Sequence, residues 1–485
     1  MIYIILIFSV LFLLLAWKRL DWAVMVLIAA LPAYLIRFNI FGLPSTLLEV
    51  MIWVVFFVWF IKNYKSIFER VKLRVTSNGL RDVVRYPFDW EIVLMLLVAL
   101  AAVGVAGFST SSFGIWKAYF FEPALFFIVV FNVMHGAKGR EKILWSLAIS
   151  ALAVSVLAIY QKITGQLIGN ELWAAAETRR VVSFFGYPNA VGLYLGPLVL
   201  LFTGWLFNYI NFQFSIFNFQ TIFNSKIFKP AFISLVIILS VLSIYFAKSK
   251  GALMGVAVGL IVFGLLVGKK IRWTTIIALI LISLGVAALE PARNLAMDTL
   301  TFKTVSGQIR LAGWRDSWNM LKDERLITGA GLANFQSAVA PYHTEGIFIK
   351  DPRDPDAQRK LVFNEAYRNA HWQPLEIYLY PHNIVLNFWS ELGLAGTLLF
   401  IWIILKYFWL GISSLSLRGS ASDRSNLTNE KFLTIGLIGA MAAIVIHGVV
   451  DVPYFKNDLA VMFWLLVAMM SLINLENVYD KNNPQ

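Results

Sequence analysis

The feature that most constrains this chain is a succession of apolar stretches near the length that crosses a bilayer, about 20 residues of helix. Thirteen lie at 2–17, 22–36, 44–61, 91–107, 115–134, 143–162, 190–208, 230–247, 251–267, 273–290, 383–409, 432–449 and 457–475. The first two are short and suit a tilted or partial hairpin, so twelve to fourteen spans are expected. In hydrocarbon every backbone N–H and C=O needs a partner within the protein, and a helix supplies it inside one segment. The predicted fold is therefore all-α, a polytopic integral membrane protein. Only 14% of its residues are charged, against about a quarter in soluble domains. The first stretch is followed by Lys18 and Arg19 rather than a small-residue cleavage site, so it is expected to stay in the membrane. With no cysteine in the sequence, disulfides and thiolate metal sites are excluded.

The formal charge of +13 would point to nucleic acid in a soluble protein. Here it follows the bias of basic loops toward the cytoplasm. Segments 62–85, 135–142, 268–272 and 416–431 are basic and fall on one side of the thirteen spans. The alternate loops then face outward: 108–114, 165–183, 247–250, and a large insert from about 291 to 381. The predicted organisation is an N-terminal transmembrane bundle (1–290), a large periplasmic loop with amphipathic helices (291–381) and C-terminal transmembrane helices (382–485). The insert carries aromatics throughout and is expected to fold against the membrane. No internal repeat of the kind common in transporters stands out.

The polar residues with chemical promise gather on the outward side, where groups beside a membrane segment tend to mark substrate sites. In YPHNIVLNFWSELGLAGT (380–397), His382 opens a long apolar helix. Asn383, Asn387, Ser390, Glu391 and Leu394 share one helical face, so a mostly polar stripe descends into the bilayer. Gly393, Gly396 and Thr397 are small and allow close helix packing. As a plain structural feature, His382 anchors the helix end and Asn383 caps it. QIRLAGWRDSWNMLKDE (308–324) is predicted to be an amphipathic helix with Ile309, Trp314, Trp318 and Leu321 as its apolar stripe and Arg310 and Arg315 at its flanks. Gly329 and Gly331 of the next segment, LITGAGLANF, could form a backbone nest for anions, but a simple turn before a short helix is the expected reading. Arg179 and Arg180 precede the span that begins near Asn189, and Lys248 and Lys250 sit in a tight turn. Outward cations run against the charge bias, and either diphosphate or lipid headgroups would explain them. His343, His371 and His382 show no ligand-pair spacing, so no metal is expected. His447 and Asp451, at i and i+4, are taken as a structural hydrogen bond.

Together these residues resemble the O-antigen ligase and O-antigen polymerase (Wzy-type) superfamily of bacterial membrane glycosyltransferases. The ligase pattern of His, then Asn, Ser or Gln, nine residues, Gly-x-x-Gly, and Thr or Lys is matched by His382, Asn383, Gly393, Gly396 and Thr397. SFFGYPNAVGLYL (183–195), AKSKGALMG (247–255) and IRLAGWRDSWNMLKDERLITGAGLANF (309–335) are similar to family segments and come in the same order; Lys250 stands where the family usually has Arg. The resemblance covers about 180 to 400. It implies transfer of a glycan from a polyprenyl-diphosphate (undecaprenyl diphosphate) carrier to an acceptor hydroxyl, for polysaccharide or lipopolysaccharide biosynthesis in the cell envelope. It also implies no metal or other cofactor, an inverting mechanism, and a site on the periplasmic or external face of the bacterial cytoplasmic (inner) membrane.

Residue by residue, the resemblance makes His382 the base and Arg310 a catalytic arginine. The arginine before the 190 span is Arg179 or Arg180, with Arg180 taken as catalytic. Arg179, Arg315, Lys248, Lys250, Asn383 and Asn189 are assigned to substrate binding. A lipid diphosphate leaves as a polyanion, which fixed cations stabilise, and a neutral imidazole can accept the hydroxyl proton. Ligase, polymerase and protein-glycosylating members share the donor and differ in a glycan, lipid or protein acceptor, whose specificity is expected in the loop around DPRDPDAQRK (351–360). Membrane lipids are further partners and nucleic acid is not. The rival from another class is a transporter or flippase of lipid-linked glycans, with His382 as proton relay.

Overall fold

The computed structural model describes residues 2–40, 43–76, 87–213, 225–351, 354, 356–418 and 424–482. Each of the thirteen predicted stretches contains a helix. In chain order the main helices are α1 (Ile2–Lys18), α2 (Leu20–Ala29), α3 (Leu47–Thr76), α4 (Asp89–Val105), α5 (Thr110–Val133, with a π turn at Lys117–Phe121) and α6 (Gly136–Thr164). There follow α7 (Pro188–Gln213), α8 (Ser225–Phe246), α9 (Lys250–Val267), α10 (Lys269–Ala288), α11 (Glu290–Leu300), α12 (Val305–Lys322), α13 (Ile384–Arg418), α14 (Arg424–Gly448) and α15 (Asn457–Asn482). Among the described residues ten are long and apolar enough to cross a membrane: α3, α5 to α10 and α13 to α15. The 17 residues of α4 rise about 25 Å, and α1 and α2 are shorter apolar helices.

The stretch predicted at 22–36 is helical only to Ala29. Pro32 opens a 3-10 turn (Leu31–Leu35), and the chain enters an antiparallel ribbon of β1 (Arg37–Ile40) with β2 (Leu43–Thr46). Proline has no N–H to continue a helical ladder. A second ribbon, β3 (Gly346–Phe348) with β4 (Trp372–Pro374), folds the large loop. Both ribbons escaped the sequence pattern because strands of three or four residues leave almost no periodicity.

Glycine lets the central helices approach. A Cβ at Gly204 of α7 would lie 2.5 Å from Phe432 O of α14, and one at Gly255 of α9 would lie 2.7 Å from Ala443 O. Small residues at such crossings allow backbone-to-backbone packing where lipid supplies no hydrophobic drive. Nearly all of α15 from Asn457 to Glu476 is buried, whereas no residue of α10 is. Thus α15 runs through the middle of the bundle and α10 sits at its edge.

Alternation of the spans brings the described parts of 30–46, 106–110, 165–187, 247–249, 289–383 and 449–456 to one face, the site face. The described parts of all four basic segments lie at the opposite face, while 77–86 and 419–423 fall outside the described residues. There the buried Arg140 of α6 pairs with Glu430 of α14 and, at 2.7 Å, with Glu476 of α15.

On the site face the segment after α12 wedges into α13. Gly393 breaks that helix with φ 71° and ψ −173°. Leu394 N donates to Ile327 O (2.9 Å) and Ala330 N to Ser390 O (2.6 Å), so loop backbone fills the gap in the helical ladder. A Cβ on Gly393 would meet Ile327 O at 2.3 Å, and one on Gly329 would meet Trp389 O at 2.4 Å. Gly331, with φ 86°, rests its Cα face on the end of α4. The predicted turn does lead into a short helix (Phe335–Val339), but it is also an inserted anchor, and Gly393 serves loop insertion rather than helix-to-helix packing.

Candidate active site

His382 stands between Pro381 and the first turn of α13 with φ 49°, a backbone conformation that is rare outside glycine. Its neighbour Asn383 ties two elements together. Asn383 Oδ1 accepts from Leu386 N (3.0 Å) as a helix cap, and its Nδ2 donates to Val449 O (3.1 Å) in the turn after α14. The start of α13 is thereby held to the 449–456 turn, and His382 Nδ1 comes to lie 3.6 Å from Asp451 Oδ1. The Tyr378 ring meets the imidazole edge to face at 5.0 Å.

Asp451 is the hub. It accepts from Asn189 Nδ2 (3.0 Å) and from Val452 N (2.9 Å). Asn189 Oδ1 in turn accepts from Arg180 Nη2 (3.2 Å), and Arg180 Nε donates to Ala247 O (3.0 Å). Arg310 Nε, from α12, donates to Val450 O (3.0 Å) beside Asp451. Burial pushes the Asp451 carboxyl up, but the facing His382 and His447 imidazoles and the Val452 amide outweigh it and hold the group at about 2. Burial pulls both arginines down; Arg310 adds to the effect on Arg180, and Asp451 with Tyr378 opposes it at Arg310. Three loops and two helix ends thus build a fixed sequence of cation, amide, carboxylate and imidazole.

The site opens into a narrow cleft of about 40 Å³ between α12 and the segment 375–382, lined by Arg310, Asp316, Tyr378 and His382 among others. Asp316 is buried and accepts from Thr344 N (3.0 Å) and Thr344 Oγ1 (2.8 Å). It braces the cleft wall.

The other predicted site residues have different places. Arg180, not Arg179, points into the cluster. Arg179 donates to Lys162 O (3.0 Å) and Ala174 O (3.1 Å), closing the end of α6. Lys248 Nζ donates to Thr178 O (3.2 Å), and Lys250 is exposed at the start of α9. Arg315 is exposed on α12, away from the buried face that Arg310 borders. That face is made by Ala312, Asp316, Ser317, Met320 and Leu321, so the predicted stripe is rotated. Trp318 is 39% exposed and instead packs edge-on against Trp389 at 5.7 Å. His343 Nε2 lies 3.2 Å from Leu375 O and His371 Nδ1 2.8 Å from Tyr367 O, so the loop histidines go to separate backbone partners.

The predicted hydrogen bond between His447 and Asp451 is not made, since Nε2 and Oδ2 are 4.0 Å apart. Asp451 instead accepts from Asn189 Nδ2 and faces His382 Nδ1 at 3.6 Å, within ion-pair but not hydrogen-bond range. Helical spacing displayed the local pair, while the partner that matters lies 69 residues earlier in the chain, where no spacing rule reaches. The polar stripe on α13 faces inward: Asn387, Ser390 and Glu391 are buried, and Glu391 accepts from Ala333 N (2.7 Å) in the inserted loop.

Residues 235–401 match the family model described as O-Antigen ligase. The matched segment runs from α8 to the first half of α13 and holds Arg310, His382 and the Gly393 break. Arg180, Asn189 and Asp451 lie outside it and reach the site only through the fold. No curated protein matches the chain. The superfamily resemblance drawn from the motifs therefore holds over this third of the chain, set in a multi-pass membrane scaffold.

Proposed function

From an O-antigen ligase domain on a multi-span scaffold, we propose that this protein transfers a glycan from a polyprenyl-diphosphate carrier to an acceptor hydroxyl at the outer face of the bacterial cytoplasmic membrane. The observation that carries this is the convergence of His382, Asp451, Arg180 and Arg310 at one end of the spans. The loop 291–381 is the substrate-facing part, set between bundle 1–290 and helices 382–485.

In the proposed reaction the acceptor oxygen attacks the anomeric carbon of the donor's first sugar. The bond from that carbon to the diphosphate oxygen breaks, and a single displacement inverts the centre. His382 takes the hydroxyl proton. Asp451, on the Nδ1 side, favours the tautomer that leaves Nε2 free as the base. Arg310 and Arg180 face the departing diphosphate and lower the barrier by meeting charge where it develops. The residues need no metal for either role. A transporter would place its polar groups near the bilayer midplane. In this chain Arg180, Arg310, Asp451 and His382 gather at one end of the spans, and Glu391 is engaged as a loop anchor, which favours the enzyme.

The test is transfer by purified full-length protein in nanodiscs, from a polyprenyl-diphosphate oligosaccharide, with EDTA present. Wild type is expected to turn over. His382→Ala is expected to bind donor with kcat lowered by about 10²- to 10⁴-fold. Normal transfer by His382→Ala, or loss of wild-type transfer in EDTA, would overturn the mechanism.

A further inference from the structure

A second site lies away from His382, between α1 and α3. A groove of about 770 Å³ is walled by Leu13 and Leu14 on one side and by Val50, Val54, Phe57 and Ile61 on the other. From Glu49 to Ile61 it descends about 18 Å, over half of a ~30 Å hydrocarbon core. Its walls are apolar, but the site-face end is not. There Lys117 Nζ sits 2.7 Å from Glu49 Oε2 and 3.9 Å from Glu122 Oε1, on the π turn of α5. Such single-turn irregularities are frequent at functional sites.

Polar groups continue from this end toward the active site. Glu49 Oε1 accepts from Asn457 Nδ2 at 3.3 Å. Beyond it, Asn457 Oδ1, Tyr34 Oη and both carboxylate oxygens of Asp458 are buried with no hydrogen-bond partner among the described residues, while Lys456 Nζ sits over the rings of Phe185, Tyr34 and Tyr187. Asp458 is fully buried, with Lys456 Nζ 4.0 Å away, and both belong to the stretch that begins at Asp451. Buried polar atoms without partners are costly, and a run of them next to an apolar groove needs something polar to complete it.

We propose that this groove is the acceptor's entry site, and that it takes the hydrocarbon tail of a glycolipid whose head is neutral and rich in hydroxyls. The charge balance selects that head. Glu49 already pairs with the ammonium of Lys117 at 2.7 Å, so a phosphate arriving there would find no free cation. Sugar hydroxyls can instead donate to Glu49 and accept from Lys117, the two charged groups that line the groove. Donor and acceptor then approach from two sides, the diphosphate over Arg180 and Arg310 and the glycolipid from α1 and α3. This inference rests on the transferase proposed above and specifies its acceptor.

The experiment is photolabelling of the full-length protein in nanodiscs. The probes are a glucosyl-diacylglycerol and a phosphatidylglycerol carrying the same diazirine acyl chain. The expected result is labelling of peptides containing residues 13–17 and 45–61, about tenfold stronger with the neutral glycolipid. Val54→Trp and Leu14→Trp, which fill the groove from opposite walls, should each remove that labelling and raise the acceptor KM while leaving kcat and the donor KM in place. Equal labelling by the two lipids, or labelling untouched by both tryptophans, would mean ordinary boundary lipid and overturn the site. The two proposals fail separately: His382→Ala that still transfers ends the mechanism and leaves the labelling as it is.

Discussion

At His382 the imidazole reaches Asp451 because one residue accepts a left-handed backbone and its neighbour Asn383 uses both ends of its amide to hold two elements together. The histidine was legible in the sequence, as the first member of a spaced pattern. Asp451 was legible only as a local partner of His447, since its role depends on a contact across the fold. Asp451→Asn should therefore keep donor binding and lower kcat by about 10²-fold or more, because the amide no longer selects the imidazole tautomer. An unchanged kcat would remove Asp451 from the mechanism. The same carboxylate links stability to pH. Its folded value of about 2 lies below the ~3.9 of an unfolded aspartate. Its stabilisation is thus fully present above that unfolded value and is lost as pH falls toward 2. Thermal unfolding in detergent should show wild type losing its advantage over Asp451→Asn across that window; an advantage that grows on acidification would contradict the assigned environment.

At the scale of the element, α13 is two helices joined at Gly393, with the loop from Ile327 to Ala330 hydrogen-bonded into the joint. Thr397 Oγ1 donates to Gly393 O at 2.9 Å and steadies the second half. Glycine is needed twice over, for its φ and for the 2.3 Å approach of Ile327 O. Gly393→Ala should cost about 1–3 kcal/mol in backbone strain alone and push the loop out. Limited proteolysis should then cut within 326–334 in the variant and spare the wild type, and equal resistance would mean the joint tolerates a side chain. From sequence the small residues were visible but their use was not, because helix packing and loop insertion both call for glycine. The α12 face was misplaced for a related reason. Tryptophan was weighed as core, yet Trp318 stays on the surface while Asp316 goes inside with Thr344 to satisfy it.

For the whole molecule, the two faces separate two duties. Arg140, Glu430 and Glu476 clamp α6, α14 and α15 at the face opposite the site. Removing Arg140 leaves two carboxylates that are a quarter and a third exposed and so partly solvated, a loss of about 1–3 kcal/mol. Arg140→Leu should therefore lower the melting temperature while the surviving folded protein keeps the wild-type donor KM; a changed KM would show the faces to be coupled. The sequence alone determined that the chain is a many-span helical membrane protein with its basic ends on one side, because hydrophobic length and charge bias act locally and leave a trace in every segment. It also carried the likeness to the O-antigen ligases, through a motif whose spacing is itself local. Only the tertiary structure decided that Arg180 rather than Arg179 joins the site, that Asp451 completes it, and that a loop splits α13. Those outcomes depend on which loop ends meet when α7, α9, α14 and α15 pack, and no periodicity along the chain encodes such a meeting.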